Sequence, residues 1–216
     1  MPPETCILAF DTSAAHCAAA LLCGDQILAA QYEAMAKGQA ERLFPMLEEL
    51  LRDGGKAWAE LDLIGVGIGP GNFTGVRISV AAARGLALSL GIPAVGVSGL
   101  EAQVHGQTGM VVSTLDARQG TLYLQVFGQS AGPLICDLAH LPVLGPGGPP
   151  TCVGHEAEQI AAIYGGRTLA PHAPLAVAIA RIAASRRLTP GPRPAPLYLR
   201  AADAAPARDR GPVILA

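Results

Sequence analysis

The residues best suited to chemistry in this 216-residue chain stand in one glycine-rich stretch, residues 67–79. An apolar strand is followed by a glycine turn, and Thr74 opens a predicted helix. Glycines let a ligand or a neighbouring chain approach the backbone, and the free N–H groups of a helix start attract anions. A phosphate cradle and a tight packing joint are therefore the competing interpretations. Packing is favoured, because no P-loop lysine follows and Thr74 replaces the third glycine of a dinucleotide fingerprint.

The histidines, serines and cysteines elsewhere give weaker signals. Five histidines are scattered without an i, i+4 pair, so each is interpreted as an ordinary polar or loop residue. Residues 96–100 lack the last glycine of a nucleophile elbow, which leaves Ser98 a weak candidate nucleophile. The cysteines are odd in number and lack CxxC spacing, so the sequence predicts buried free thiols in a reducing cytosol. They are Cys6, Cys17, Cys23, Cys136 and Cys152.

Composition limits the classes of protein to which the chain can belong. It is 50% hydrophobic and 15% charged, which excludes global disorder and allows one large core or two small ones. A net charge of −2 gives no overall positive field for nucleic acid. The apolar run 17–23 is too short to span a bilayer, and the first residues lack the basic region of a secretion signal. We therefore expect a cytoplasmic protein with no membrane partner.

Hydrophobic periodicity predicts the elements that position these residues. Three strands, an amphipathic helix, a strand, a long helix and a short strand are expected over residues 5–10, 16–23, 27–32, 39–51, 63–68, 74–90 and 94–97. Three more strands and two helices are expected over residues 110–116, 121–127, 134–141, 156–164 and 173–187. Pro45 lies inside the first helix and is expected to bend it. Gly120 stands in a hairpin turn, at a position that needs an unusual backbone angle.

These elements divide the chain into three parts. Residues 1–106 are expected to form an N-terminal lobe, and residues 107–188 a smaller second lobe. Residues 189–216 form a Pro/Ala-rich C-terminal segment that is expected to return in part to the first lobe.

The predicted helix over residues 74–90 has no wide polar face. A helix that is apolar all round is covered all round, and in a small chain a sheet covers one side only. We therefore expect a partner to cover the other side; the alternative is that the helix over residues 39–51 covers it internally. Arg77 and Arg84, seven residues apart, share a face and either rim such an interface or are simply solvated.

Five motifs, in order along nearly the whole chain, resemble the signature series of the TsaB (YeaZ) family. They are ILAFDTS at 7–13, ERLFPM at 41–46, GPGNFTGVRI at 69–78, DARQG at 116–120 and PLYLR at 196–200. The G-P-G-x-F-T-G-[VL]-R block is highly specific. The resemblance implies the actin-like ATPase fold (ASKHA, RNase H-like), an α/β fold of two lobes with mixed sheets flanked by helices. It also implies a role in forming N6-threonylcarbamoyladenosine in tRNA.

The resemblance also implies partners. In that family TsaB is the non-catalytic scaffold or activator of its paralogue TsaD, which transfers threonylcarbamoyl, and the ATPase TsaE joins the pair. TsaD and TsaE are thus the implied partners, with tRNA contacted through the complex, self-association when TsaD is absent, and no cofactor. The interface is expected at Leu43, Met46, Leu47, Arg77, Val80, Ala83, Arg84 and Ala87. A charge in place of Val80 or Ala83 is expected to abolish the complex and leave the monomer folded.

Two comparisons within this resemblance concern metal and nucleotide. TsaD-like proteins carry a metal-binding H-x-E-x-H motif where this chain has Gly99, Glu101 and Gln103, and a lone glutamate cannot hold a transition metal. We therefore expect no metal site and no catalytic residue. Asp11 and Thr12 follow the first strand, where actin-like ATPases bind a nucleotide-bound cation and phosphate. Nucleotide contact at an interface and a simple turn cap both stay open for these two residues.

The other motif residues are carried over as motif positions only: Gly69, Gly71, Phe73, Thr74, Gly75, Asp116 and Arg118. Asp116 and Arg118 either form an ion pair that fixes the hairpin or contact TsaD, TsaE or tRNA. A stand-alone actin-like small-molecule kinase or ATPase, with Asp11 at the metal, is the alternative function. A metalloprotease is a further class, against which the missing histidines count.

Overall fold

Two five-stranded mixed sheets form the framework of the chain, in a computed structural model that describes residues 4–189 and 191–200. The first elements are β1 (Cys6–Asp11), β2 (His16–Cys23), β3 (Gln26–Ala34), α1 (Gln39–Asp53), β4 (Leu63–Gly67), α2 (Phe73–Leu90), β5 (Ala94–Val97) and α3 (Gly99–Gln103). The later ones are β6 (Val111–Asp116), β7 (Leu122–Phe127), β8 (Leu134–Cys136), β9 (Thr151–Gly154), α4 (Ala157–Tyr164), β10 (Arg167–Thr168) and α5 (Leu175–Ser185). The end of the predicted Pro/Ala-rich segment, beyond residue 200, lies outside the described residues.

The two sheets share one strand order and one set of directions. The first runs β3-β2-β1-β4-β5, with β1 antiparallel to β2 and parallel to β4. The second runs β8-β7-β6-β9-β10, with β6 antiparallel to β7 and parallel to β9. Parallel neighbours need a crossover, and α2 and α4 supply it between β4 and β5 and between β9 and β10. The α/β class with mixed sheets flanked by helices is confirmed.

The first sheet is covered by helices on both faces. Successive residues of β1 point to opposite faces, so Leu8 and Phe10 pack with α1 and α2, whereas Ile7 and Ala9 pack with α5. Every residue of β1 and β2 is buried, as expected for strands between two helical layers. Pro45 lies inside α1, as predicted.

Helix α5 corrects the predicted lobe boundary. The sequence places this helix in the second lobe, residues 107–188, but it packs on β1, β2 and β4 of the first sheet. Small residues allow that approach: a Cβ added at Gly65 of β4 would stand 3.2 Å from the Cβ of Ala183. Periodicity reveals that a helix has an apolar face, but the sheet that covers the face is a property of the tertiary fold.

The predicted strand over residues 134–141 is shorter than expected. Strand β8 ends at Cys136, and Asp137 then caps a single 3-10 turn, Leu138–His140, by accepting from the N–H groups of Ala139 and His140. An aspartate side chain that bonds to backbone N–H groups competes with the ladder of a strand, which explains the early end.

Cys6 and Cys23 form a disulfide, which contradicts the prediction that all five cysteines are free. The two residues face each other across β1 and β2, and their Sγ atoms are 2.06 Å apart. Cys17, Cys136 and Cys152 are free, and burial raises the pKa of the Cys17 thiol to about 11. Strand register determines the pairing, and sequence spacing alone does not contain it. The inference of a reducing compartment from unpaired cysteines therefore loses part of its basis.

Helix α2 has a side that the described part of the chain does not cover. By length and composition it could cross a membrane, a test that core helices of soluble proteins also pass. In the structure one side packs on β4 and β1, and only 33% of its residues are buried. The helix is thus part of the first lobe, with much of its surface exposed.

Candidate functional site

The glycine motif forms a closed joint with the turn that follows β1. The N–H of Asn72 donates to the Ser13 carbonyl over 2.6 Å, and Thr12 Oγ1 donates to the Gly75 carbonyl over 2.7 Å. A Cβ added at Gly71 would overlap the Ser13 carbonyl oxygen, and one added at Gly75 would overlap that of Thr12. Close approach of the chain to itself, the packing interpretation, is therefore what requires these glycines.

The start of α2 is capped by the chain itself. Asn72 Oδ1 accepts from the N–H groups of Thr74 and Gly75, each over 3.0 Å. Gly69 has a φ of 86°, in the left-handed region that favours glycine, and its carbonyl accepts from the N–H of Gly99 over 2.8 Å. Two of the N–H groups that an anion would need are thus already bonded.

Asp11 and Thr12, the predicted nucleotide contacts, are fully buried. Asp11 Oδ1 accepts from the N–H and the hydroxyl of Ser13, both over 2.9 Å, which makes the aspartate a turn cap. Asp11 Oδ2 has no hydrogen-bond partner among the described residues, and it lies against Gly67, where an added Cβ would overlap it. This closed arrangement does not fit a nucleotide-bound cation, so the turn-cap alternative is the one the geometry supports.

His16 is the buried partner of Asp11 that sequence reasoning missed. Its Nε2 lies 2.7 Å from Asp11 Oδ1, and its ring stands 5.3 Å from the ring of Tyr32, measured between centroids. His16 begins β2, as the predicted strand over residues 16–23 has it, and it is a buried polar residue whose hydrogen bond to Asp11 was not predicted. Its place directly before an apolar strand was the available signal.

The positions of the missing metal motif have structural roles. Gln103 Nε2 donates over 3.1 Å to a backbone carbonyl of β6, Glu101 forms an ion pair with Arg186, and Gly99 is buried. Ser98, the weak candidate nucleophile, caps α3 by accepting from the N–H of Glu101 over 3.0 Å. Within residues 4–189 and 191–200, no three His, Cys, Asp or Glu side chains are grouped so that they could hold a metal.

Five of the eight predicted interface residues lie inside this chain. Leu43, Met46 and Leu47 on α1 are fully buried, and Val80 and Ala83 on α2 are 3% and 0% exposed. The prediction is corrected for these five, because their side chains belong to or adjoin the core under the first sheet. A charge at Val80 or Ala83 is thus expected to destabilise the monomer itself. The apolar stripes exist, but they face inward.

The exposed side of α2 carries a second row of residues, which we call the helical face: Ala81, Arg84, Gly85 and Leu88. The spacing i, i+3, i+4, i+7 places them on one side of the helix, all four are exposed, and Leu88 is 80% exposed. Arg84 makes no ion pair within residues 4–189 and 191–200. Ala87 is half-buried beside this face.

A second exposed group, the aromatic-arginine cluster, consists of Phe73, Arg77 and Tyr198. The Arg77 guanidinium carbon lies 3.7 Å from the centre of the Phe73 ring and 5.8 Å from that of Tyr198. Arg77 Nε donates to the Tyr198 hydroxyl over 2.8 Å, which connects α2 to the PLYLR motif. Arg77 is thus exposed but held by Tyr198, and it does not stand free beside Arg84.

The turn between β6 and β7 is built on Asp116 and Arg118. Asp116 Oδ1 accepts from the backbone N–H of Arg118 over 2.7 Å, a turn contact and not the ion pair that was one of the two alternatives for these residues. The φ of Gly120 is 74°, as its turn position predicts, and that of Arg118 is 66°, which is costly for a residue with a side chain. Thr121 Oγ1 donates to the Arg118 carbonyl and accepts from Arg200 Nη2.

Comparisons with known sequences agree with one another. A family model described as TsaD, tRNA N6-adenosine threonylcarbamoyltransferase, matches residues 30–169. The tRNA threonylcarbamoyladenosine biosynthesis protein TsaB of Escherichia coli is 35% identical over 122 residues, 54% of this chain and 52% of that protein. TsaB of Bacillus subtilis is 38% identical over 129 residues, 58% of this chain and 56% of that protein. An uncharacterised protein of Mycobacterium tuberculosis is 35% identical over 176 residues, 79% of each chain.

Solved structures agree with the sequences. YeaZ from Pseudomonas aeruginosa aligns with a TM-score of 0.71 at 26% identity, over 90% of this chain and 100% of that chain. The alignments with the curated TsaB sequences span about half the length of those relatives. The two-lobed actin-like ATPase fold implied by the motifs is confirmed. The ordered motifs, the fold and the matched sequences together show that this chain belongs to the TsaB (YeaZ) family.

Proposed function

We propose that this chain acts in the cytoplasm as a non-catalytic subunit in the formation of N6-threonylcarbamoyladenosine in tRNA. It binds TsaD through α2 and brings TsaE to the pair. Relatives named for this biosynthesis support the pathway. The matched family model, which is described as a transferase, supports a paralogous relation to the catalytic subunit.

The observation that carries the subunit role is the helical face. Its one large apolar side chain, Leu88, is 80% exposed, and it stands beside small residues that leave the helix open to a partner. Ala81 and Gly85, one turn apart, let a partner helix approach closely, and Leu88 offers the large side chain that would fill a groove. Arg84, between them, is free to bond to a carbonyl or carboxylate at the rim. The same face would join two copies when TsaD is absent.

The interior of the molecule supports a non-catalytic role. Gln103 and Glu101 are held by the chain's own groups at positions where the resemblance places the metal motif. Asp11 is closed off by the glycine joint, with no access for a nucleotide. Transfer chemistry would then belong to TsaD, and this chain would contribute the surface on which the complex forms.

The test compares two exposed leucines. Leu88→Asp is expected to weaken TsaD binding by roughly 30-fold, the effect of losing one central apolar contact. Leu188→Asp is the control, because Leu188 is 83% exposed and lies beyond α5, away from the helical face. Affinity is measured by calorimetry with purified TsaD, and thermal melting checks that both variants stay folded. Equal affinity of the two variants would refute the proposed interface.

A reconstituted modification assay tests the pathway and the lack of catalysis. TsaD, TsaE and unmodified tRNA are combined with and without this chain, and the modified nucleoside is measured by mass spectrometry. We expect product only when this chain and TsaD are both present. Product from this chain alone would overturn the non-catalytic role. Hydrolysis of ATP by the purified chain without partners would favour the stand-alone kinase or ATPase instead.

A further inference from the structure

The aromatic-arginine cluster has no part in the helical face and is built from distant segments. Phe73 and Arg77 belong to the first turns of α2, and Tyr198 stands 121 residues after Arg77. Phe73 and Tyr198 are 40% and 45% exposed, and their ring centres are 5.1 Å apart. Large aromatic rings that are fixed by a tertiary contact and still open to solvent provide a preformed stacking surface.

Arginines lie on or near these rings in the chain. The Arg77 guanidinium lies over the Phe73 ring, and Arg200 follows Tyr198 by two residues. Arg200 Nη2 donates to Thr121 Oγ1, which in turn donates to the backbone carbonyl of Arg118. Among residues 4–189 and 191–200, none of the three arginines makes an ion pair with a carboxylate. The neighbouring Asp116 accepts from the Arg118 backbone N–H, not from its guanidinium. Within the described residues these guanidinium groups are therefore not paired with a carboxylate, and the net charge of the whole chain is −2.

We propose that this cluster binds single-stranded RNA. A base would stack on the exposed rings of Phe73 and Tyr198, and the arginines would contact the flanking phosphates. Every base has a π face, and a guanidinium both stacks on rings and bonds to phosphate through its planar fork. This inference rests on the proposed function, because it assigns the tRNA of that reaction a direct contact with this subunit.

An acidic protein segment is the competing occupant, since interfaces between proteins also use tyrosine and arginine. RNA is favoured by the combination of partly exposed aromatic rings with arginines that lack a carboxylate partner among the described residues, because it supplies a planar group and an anion in every nucleotide. An acidic peptide would supply the charge but no regularly spaced planar group. The two occupants are separated by the experiment below.

The first arm measures stacking. Fluorescence anisotropy follows a labelled single-stranded RNA of about 12 nucleotides, with the full-length chain alone and in complex with TsaD. Tyr198→Leu is expected to raise the Kd about 5- to 150-fold, the range for loss of one stacked base, and Tyr198→Phe is expected to retain most of the affinity. Tyr32→Leu is the control, because Tyr32 is 63% exposed on β3, outside the cluster.

The second arm measures charge. Arg200→Gln is expected to lower the slope of log Kd against log salt concentration by about 0.7, the value for one phosphate contact on a single strand. Arg187→Gln, at an exposed arginine beyond α5, is the control and is expected to leave the slope unchanged.

Three results would overturn the inference. They are no RNA binding in either preparation, equal affinity of Tyr198→Leu and the unaltered chain, or loss of TsaE or TsaD affinity in Tyr198→Leu with RNA affinity unchanged. The last result would assign the cluster to a protein segment. Failure of the RNA test leaves the Leu88→Asp and modification assays intact, so it is distinguishable from failure of the proposed function.

Discussion

Helix α2 and the turn before it contain glycines in two opposite environments. Gly71, in the turn, and Gly75, in the first turn of the helix, lie so close to the backbone of Ser13 and Thr12 that neither position has room for a methyl group. In its second half, Gly85 has no neighbouring atom within 4 Å of an added Cβ. One end of the helix is thus locked into the fold, and the other presents small residues to whatever lies outside.

This difference separates the glycine motif, which resembles a phosphate-binding loop, from the helical face, which is free to contact a partner. A glycine turn is ambiguous in a sequence, because a phosphate and a neighbouring backbone both require the absence of a side chain. Here the neighbour is the chain's own turn. The plainer alanine-rich half of the helix carries the uncovered apolar surface, and we therefore place partner binding there.

The largest expected effect contrasts the two sides of α2. Val80→Asp would bury an unpaired carboxylate in the core, and we expect it to lower the free energy of unfolding by about 4 kcal/mol. Leu88→Asp, on the helical face, should change it by less than about 0.5 kcal/mol, since both side chains would be in water. Urea unfolding followed by circular dichroism measures both values. A similar loss in the two variants would mean that Leu88 is also covered in solution.

The next effect contrasts the two kinds of glycine. Gly75→Ala forces its new methyl group against the Thr12 carbonyl, and we expect a loss of about 2 kcal/mol in the free energy of unfolding. Gly85→Ala meets no atom and favours the helix, so a gain of roughly 0.5 to 1 kcal/mol is expected. Thermal melting of both proteins gives the comparison. If Gly75→Ala were neutral, the joint would be looser than its hydrogen bonds indicate.

Local sequence patterns predict the helices and strands but not which of them pack together. Strand β2 has the predicted bounds, and α2 begins one residue before the predicted start. The short elements β9, β10 and α3 were not predicted, because a few residues show no measurable periodicity. Three features depend on register and packing across the fold. They are the sheet on which α5 packs, the inward orientation of Val80, and the Cys6–Cys23 disulfide. These properties arise between segments and are absent from any one of them.

The candidate sites show the same division. The motif residues Phe73 and Arg118 were identified by family resemblance, but their contacts were not predictable. Tyr198 belongs to the PLYLR motif, and its hydrogen bond to Arg77 joins residues far apart in the chain. That α2 needs a partner stays a prediction. Of the predicted interface residues, Arg84 lies on the helical face, whereas Val80 and Ala83 face inward. Which residues of a helix face outward can be decided only when the sheet on which the helix packs is known.

The smallest expected effect concerns the ion pairs that connect α1, the helix beside α2, to β3. Arg42 on α1 donates to Glu33 of β3 over 2.8 Å and to Glu49 over 2.9 Å. Its hydrogen bonds hold the pKa of both carboxyls below their usual value. Because the pKa of Glu33 is lower in the folded than in the unfolded chain, the stabilisation is present above the unfolded pKa and is lost as pH falls through the folded one.

We therefore expect Arg42→Gln to lower the urea midpoint at roughly pH 7, and the difference from the unaltered chain to shrink as the pH falls through the lowered pKa values of Glu33 and Glu49. The effect is small because all three side chains are partly exposed. Arg52→Gln is the control, since Arg52 reaches Asp53 only at 3.6 Å and both are exposed. If the Arg42→Gln difference persisted at the lower pH, packing of the arginine stem, and not its charge, would be what ties α1 to β3.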